Sequence, residues 1–336
     1  MQKISVEEAL KLKDKVVIDT RSPVEFEKDR IPGSINIPIL DTEERKIVGI
    51  MYKDNPDKAI KLGYEYYNKK LPRMTEQFKN IAKNKKIIIY CWRGGMRSQT
   101  ITKLVADLGF DALLLEGGYR AYRSYIRAQL ESYEPPFTFI VLYGSAGSGK
   151  TELIKKLVPS IDLEGLAQHR SSNFGAIGLN PREQKLFESL LFAKLKELEG
   201  EKFVFIEGES HKVGRVFIPN SVFKAMKQGL AVRVNCSIEN RAKQIVKDYF
   251  THGEEDKIRE IIVYLKQYLT KKVVEDLLKL MDEKNYEEVS KILLQDYYDS
   301  KYEHQIKQAE CSYTVCNDDM IECIKELKRI TGQLEK

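Results

Sequence analysis

Apolar residues recur along this chain in two rhythms, and their alternation lays out the fold. Continuous runs rich in β-branched and aromatic side chains predict buried strands. They include Val16-Val17-Ile18-Asp19, Lys85-Lys86-Ile87-Ile88-Ile89-Tyr90, Phe137-Thr138-Phe139-Ile140-Val141-Leu142-Tyr143, Glu201-Lys202-Phe203-Val204-Phe205-Ile206-Glu207 and Leu230-Ala231-Val232-Arg233-Val234-Asn235-Cys236. Ser312-Tyr313-Thr314-Val315 reads as a last, shorter strand. Between them, stretches such as Gln99-Thr100-Ile101-Thr102-Lys103-Leu104-Val105-Ala106-Asp107-Leu108 carry apolar residues at helical spacing. Ser5 caps a first short helix and Glu8 completes a capping box, while Val24 to Lys28 is a helical turn. Ile31-Pro32-Gly33-Ser34-Ile35-Asn36-Ile37-Pro38 reads as a turn and a strand. Strands alternating with helices predict an α/β protein with parallel sheets. Glu134-Pro135-Pro136 stops a helix and marks a boundary. The layout is a domain at 1–130, a linker at 131–136, and a second α/β domain at 137–336 with a helical insertion at about 239–309.

One strand runs directly into Cys91-Trp92-Arg93-Gly94-Gly95-Met96-Arg97-Ser98, and a helix follows. A loop between a strand end and a helix N-terminus turns its N–H groups inward, where the helix dipole is positive. Such a nest suits an anion. Arg93 and Arg97 add charge, and together these features should depress the Cys91 thiol towards the nucleophilic thiolate. An ordinary buried cysteine is the alternative.

A second strand is followed at once by Gly144-Ser145-Ala146-Gly147-Ser148-Gly149-Lys150-Thr151 and a helix from Glu152 to Leu157. This G-x-x-x-x-G-K-T pattern in a strand–loop–helix setting is a P-loop. Its glycines let amides cradle a di- or triphosphate, Lys150 reaches the outer phosphates, and Thr151 is a candidate Mg²⁺ ligand. The motif specifies a polyphosphate, not nucleotide hydrolysis. Glu207 or Glu209, at the end of a later strand, is a candidate metal-orienting carboxylate, with a solvated strand end as the alternative. The polar segment from Leu163 to Gly175 is a candidate substrate loop, in which His169 and Arg170 would bind an anion or move a proton. His211 follows the Glu207–Glu209 strand end, and Asn240-Arg241 heads a helix where a lid arginine or a plain helix start would stand.

Composition adds direction. Of 336 residues, 42% are hydrophobic and 32% charged, which suits a globular chain with its own cores. The expected location is the cytoplasm: the N-terminal residues show no apolar signal region, and no run approaches membrane-spanning length. Residues 1–130 hold 25 Lys and Arg against 17 Asp and Glu, a surplus of 8, while the remainder is short of balance by 2. A basic first half points to anionic partners. Arg120, Arg123 and Arg127, spaced along one helix, are candidate nucleic-acid contacts. Tyr52, Tyr64, Tyr66 and Tyr67, interleaved with lysines between residues 45 and 85, fit either base stacking or a half-buried amphipathic helix. Five cysteines do not form a disulfide framework, and Cys311, Cys316 and Cys323 read as core thiols.

Asp19-x-Arg21, Glu25-Phe26, Ile31-Pro32-Gly33-Ser34-Ile35-Asn36, the Cys91 loop and Gly109-Phe110-Asp111-Ala112-Leu113-Leu114-Leu115-Glu116-Gly117-Gly118-Tyr119 together resemble the rhodanese domain over roughly residues 1–130. Rhodaneses pass a chalcogen through a cysteine persulfide. Here five residues separate Cys91 from Arg97, one more than in common sulfurtransferase loops, which widens the nest for a tetrahedral anion. Rhodanese-fold phosphatases share that spacing, but they carry His where this chain has Tyr90. With the P-loop, Leu163-Glu164-Gly165-Leu166-Ala167-Gln168-His169-Arg170, Glu209-Ser210, Gly214, Pro219, Leu293-Leu294 and Tyr297-Tyr298-Asp299, the whole chain resembles the tRNA 2-selenouridine synthase family. Ser171-Ser172-Asn173 departs from that family's usual Gly-Ser-x.

The resemblance implies an enzyme acting on 2-thiouridine at the tRNA wobble position, in the anticodon region. It implies geranyl transfer from geranyl diphosphate to the thiouridine sulfur, then replacement of the S-geranyl group by selenium from selenophosphate. Selenophosphate would sit among Trp92, Arg93, Gly94, Gly95, Met96, Arg97 and Ser98, with Arg21, while Cys91 attacks selenium to give a perselenide plus phosphate. The diphosphate would sit on Gly144 to Thr151. No tightly bound cofactor is expected; Mg²⁺ would come with the diphosphate. Two other functions fit the same residues: a rhodanese-type sulfurtransferase fused to a P-loop kinase, and a nucleotide-gated anion-binding module.

Overall fold

A computed structural model describes residues 1–81, 85–300 and 309–334. The chain divides into two compact units, Met1–Leu130 with Glu188–Leu190, and Glu131–Phe187 with Leu191–Lys336.

The first unit runs β1 (Gln2–Ile4), α1 (Val6–Lys11), β2 (Lys15–Asp19), α2 (Pro23–Lys28), β3 (Ile35–Asn36), α3 (Thr42–Asp54), α4 (Pro56–Lys79), β4 (Lys86–Tyr90), α5 (Met96–Asp107), β5 (Ala112–Leu115) and α6 (Gly118–Glu131). Its sheet has the order β1-β5-β4-β2-β3, with every pairing parallel. β4 is central, and Ile87, Ile88, Ile89 and Tyr90 are all buried, as expected of a parallel strand covered on both faces. Ile18, Ile87, Ile89, Met74, Phe78, Ile101 and Val105 form a core on one side of it. The tyrosine-rich insertion is the helix pair α3–α4. Asp41 caps α3 with Glu44 in a capping box, and Asn55 caps α4 ahead of Pro56, so its two starts are specified locally. Tyr66 and Tyr67 pack on the core, whereas Tyr52 and Tyr64 stay exposed. Residues 82–84 of the insertion lie outside the described residues.

The second unit runs β6 (Thr138–Tyr143), α7 (Lys150–Lys156), β7 (Ser160–Ile161), α8 (Leu163–Ala167), α9 (Gln184–Glu197), β8 (Phe203–Glu207), β9 (Lys212–Val213), β10 (Val216–Phe217), α10 (Asn220–Gln228), β11 (Leu230–Asn235), α11 (Ile238–Tyr249), α12 (Glu255–Tyr264), α13 (Lys271–Asp282), α14 (Tyr286–Leu293), β12 (Tyr313–Cys316) and a last helix, Met320–Leu334. Its sheet order is β12-β11-β6-β8-β7, again all parallel, and β9–β10 is a separate antiparallel hairpin. The predicted insertion is α11–α14, whose apolar faces make a core of their own with Phe174 and Ile177. The part of it at residues 301–308 lies outside the described residues. Among the described residues no helix is long and apolar enough to cross a membrane. Their five cysteines are free; Cys323 is buried, but Cys311 is half-buried and Cys316 exposed beside Asp318. The reading of all three as core thiols is therefore corrected, because β12 is an edge strand.

Two candidate active-site loops

The first loop leaves β4 at Cys91, which is 3% exposed. Ser98 Oγ donates to Cys91 Sγ at 3.1 Å, so a hydroxyl from the first turn of α5 points at the sulfur. The loop is strapped from outside by the Gly-Gly turn that opens α6. Tyr119 N donates to Cys91 O at 2.8 Å, and Arg120 N to Trp92 O at 2.9 Å. That close approach requires Gly118: its φ is +57°, and a Cβ there would lie 2.4 Å from Cys91 O. Gly94, with φ of +69°, makes the facing turn. Trp92 leans on Tyr119 with ring centroids 5.7 Å apart. Arg97 Nη1 donates to Glu25 at 2.9 Å, and Arg45 approaches the same carboxylate at 3.6 Å. Burial raises the pKa of Glu25 and the Arg97 charge lowers it; the net is a carboxyl held below its ordinary range.

The second loop leaves β6, the middle strand of its sheet, at Gly144. Gly147 and Gly149 take φ of +73° and +80°, and a Cβ on Gly149 would meet Asn317 Nδ2 at 2.4 Å. Lys150 Nζ folds back to donate to Gly144 O at 2.8 Å. Thr151 Oγ1 donates to Glu164 at 2.9 Å, and the Glu164 N–H donates to Glu207 at 3.1 Å. Glu164, Glu207 and Glu209 thus crowd around one lysine. Burial, then the neighbouring Glu209, lifts the Glu164 carboxyl to about 8, and burial with Glu164 lifts Glu207 well above its ordinary range. Burial also lowers Lys150, against the pull of the three carboxylates. A cleft opens over the loop, walled by Thr151, Glu164, Arg170, Glu209, Ile245 and Tyr249.

Comparison with known proteins places this arrangement. The tRNA 2-selenouridine synthase AAA domain matches residues 137–333, and the rhodanese-like domain matches residues 5–125. A tRNA 2-selenouridine synthase of Nitrosomonas europaea is 35% identical over 266 residues, covering 76% of this chain and 69% of its own. That of Hydrogenovibrio crunogenus is 31% identical over 334 residues, covering 90% and 92%, and that of Sulfurovum sp. 32% over 324 residues, covering 87% and 89%. The chain belongs to the tRNA 2-selenouridine synthase family.

Within this synthase-family chain the structure sorts the residues singled out by sequence. Cys91, Gly94, Gly95 and Ser98 form the first loop, with Trp92, Arg93 and Met96 exposed on it. Arg21 is not on that surface. It is 2% exposed, with Nε and Nη2 donated to Asp19 and Nη2 also to Asp29 O, and it lies 4.0 Å from the Tyr119 ring centre. Its assignment as an anion ligand is corrected to that of a buried strut, because burying a guanidinium demands such partners. Arg123 is likewise buried, paired with Glu188 and donating to Ser189 Oγ at 3.1 Å; of the three helix arginines only Arg120 and Arg127 are exposed.

In the synthase-family P-loop unit, the polar segment after β7 is not a plain loop: Asp162 caps α8 within it. His169 sits against Gly175 and Gly214, its Nδ1 buried without a hydrogen-bond partner, and burial lowers its pKa. Arg170 donates to Ile177 O at 2.8 Å and lies over the Tyr249 ring. His169 shares a second cleft with Glu209, Asn173 and Tyr297, whereas His211 packs between Phe217 and Phe223. Arg241 proves to touch the P-loop, donating to Ala146 O at 2.9 Å and pairing with Asp299. Sequence reasoning missed Asn317, whose Nδ2 donates to Ser148 O at 2.8 Å across 169 residues. The β12 end that carries it gave no motif signal.

Proposed function

We propose that this protein is a tRNA 2-selenouridine synthase that works in two steps, one at each loop. The observation that carries the reading is that a complete thiol loop and a complete P-loop occur in a chain similar over 90% of its length to such a synthase. In the first step, the sulfur of 2-thiouridine at the wobble position attacks C1 of geranyl diphosphate, and the base gives up its N3 proton to water. The C–O bond breaks with its electron pair on diphosphate, which the P-loop amides and Lys150 hold. Thr151 Oγ1, Glu164 and the orphaned Glu207 Oε1 are hard oxygen donors that fit Mg²⁺. Among the described residues no group of three or more His, Cys, Asp or Glu side chains is arranged to hold a metal alone, so the diphosphate would complete the ligand set. The ion would supply charge neutralisation of the leaving group.

In the second step, selenium from selenophosphate replaces the S-geranyl group. A Cys91 perselenide formed with loss of phosphate does not balance. Thiolate attack on selenium expels phosphorus two electrons below phosphate, and no oxidant is at hand. A balanced route keeps selenium reduced. The Cys91 thiolate attacks C2 of the base, and the C–S bond breaks with its pair on geranylthiolate. Selenium of selenophosphate then attacks C2 and Cys91 leaves as thiolate. Water finally attacks phosphorus, releasing phosphate and 2-selenouridine. The role of the wide loop is to seat the phosphate part beside the sulfur.

The test is mass analysis of nucleosides from 2-thiouridine tRNA incubated with the protein, geranyl diphosphate and selenophosphate. The expected products are S-geranyl-2-thiouridine, then 2-selenouridine. Turnover of thiosulfate but not selenophosphate, or steady ATP hydrolysis without RNA, would instead favour the sulfurtransferase–kinase or sensor function. With S-geranyl tRNA and no selenophosphate, a Cys91–tRNA adduct is expected, and its absence would exclude the covalent relay.

A further inference from the structure

The first unit contains an apolar cavity, open to solvent at its mouth, that the two-step reading does not use. Its walls are Val48 and Tyr52 from α3, and Ile60, Tyr64 and Tyr67 from α4. Its remaining sides are Ile39 and Leu40, and Met96, Arg97 and Thr100 from the start of α5, the helix that closes the Cys91 loop. The lining, aliphatic and aromatic with one charged residue, is that of a small-molecule site. The one charged wall residue, Arg97, is paired with Glu25, which leaves the interior without an unmatched charge. An anion has no counter-charge there, and a polar nucleoside would lose hydrogen bonds on entering.

We infer that this cavity takes the ten-carbon isoprenoid chain carried on the sulfur of the base, and so recognises the geranylated nucleoside at the loop where that chain is exchanged for selenium. This rests on the proposed function. The location fits the chemistry: the bond to be broken joins C2 to the sulfur bearing the chain, and Met96 and Arg97, on the cavity wall, open the helix that closes the thiol loop. An apolar site beside Cys91 distinguishes S-geranyl from unmodified 2-thiouridine by burial alone, at roughly fourfold in affinity per methylene. It would thereby hold back unmodified bases from the second step.

Gly63 supplies the test. It lies within α4 on the cavity wall, and a Cβ added there meets nothing within 4 Å, so Gly63→Leu grows into open space without disturbing the fold. Replacing a mid-helix glycine should leave the melting temperature equal or higher. The full chain is given selenophosphate and tRNA bearing either S-geranyl- or five-carbon S-dimethylallyl-2-thiouridine, and KM and kcat are measured for selenouridine formation. The expected result is a KM for the geranyl substrate at least tenfold below that for the shorter one. Gly63→Leu should raise the geranyl KM about tenfold or more while moving the dimethylallyl KM less than threefold. Equal KM values in the wild type, or a Gly63→Leu variant that affects both substrates alike or neither, would overturn the cavity's role and leave the synthase function standing. Conversion of neither substrate by the wild type would overturn the function, and the cavity's role with it.

Discussion

The Cys91 loop and the P-loop are built on the same plan and finished in opposite ways. Each leaves an inner strand of a five-stranded parallel sheet and closes on a helix start. The Cys91 loop is fixed by backbone: two N–H groups of α6 tie its carbonyls, and a glycine lets them come close. The P-loop is instead crowded with ionisable side chains, three carboxylates around one lysine that meanwhile bonds to its own loop. On the proposed function the difference has a reason: a covalent site needs a preset frame, whereas a site for a mobile diphosphate needs charge in reserve.

The strongest way to break this comparison is at the sulfur. Cys91→Ser should lower selenouridine formation by about 10⁴-fold while geranylated tRNA accumulates; retained selenation, read by nucleoside mass analysis, would remove the covalent role. Lys150→Ala should slow the geranyl step by about 10²–10³-fold, since the departing diphosphate loses its main cation. Normal geranylation by that variant would refute the P-loop assignment. The frame itself is tested by Gly118→Ala. With φ of +57° and a contact of 2.4 Å to Cys91 O, the methyl should cost about 2–4 kcal/mol in chemical denaturation and spare geranyl transfer.

A subtler test uses pH. Glu164 titrates at about 8 in the folded chain against an ordinary 4.5, so the folded state keeps a proton that the unfolded state gives up. The unliganded protein should therefore lose stability as pH rises from about 4.5 through about 8. Glu164→Gln should flatten that slope in thermal melts; an unchanged slope would mean that the cluster is not protonated. The smallest effect is expected on the surface. Arg127→Ala should weaken tRNA binding about three- to tenfold and lower its salt dependence by about one ion, whereas Arg123→Ala should lower the melting temperature. The reverse pattern would mean that the exposed and buried arginines had been assigned the wrong way round.

Both loops were legible in the sequence because each is local: a β-branched run, glycines at fixed offsets and a helix that starts within a few residues. The capping box of Ser5 and Glu8 was legible for the same reason. What holds the loops in place was not. Glu25 meets Arg97 across 72 residues, Asn317 meets Ser148 across 169, and Arg241 reaches Ala146 across 95. No spacing rule joins such positions; only the sheet order does. Arg21 and Arg123 misled because a helix or loop arginine looks the same in sequence whether it faces solvent or a buried carboxylate.

The chain has a single tryptophan, and it stands on the thiol loop against Tyr119. Its carbonyl is held by the amide of Arg120, an exposed cation on the first turn of α6. Intrinsic emission from this one indole is thus a built-in optical probe. A polynucleotide drawing on Arg120 should change the colour or yield of that signal before any chemistry occurs, and stopped-flow mixing can time the event.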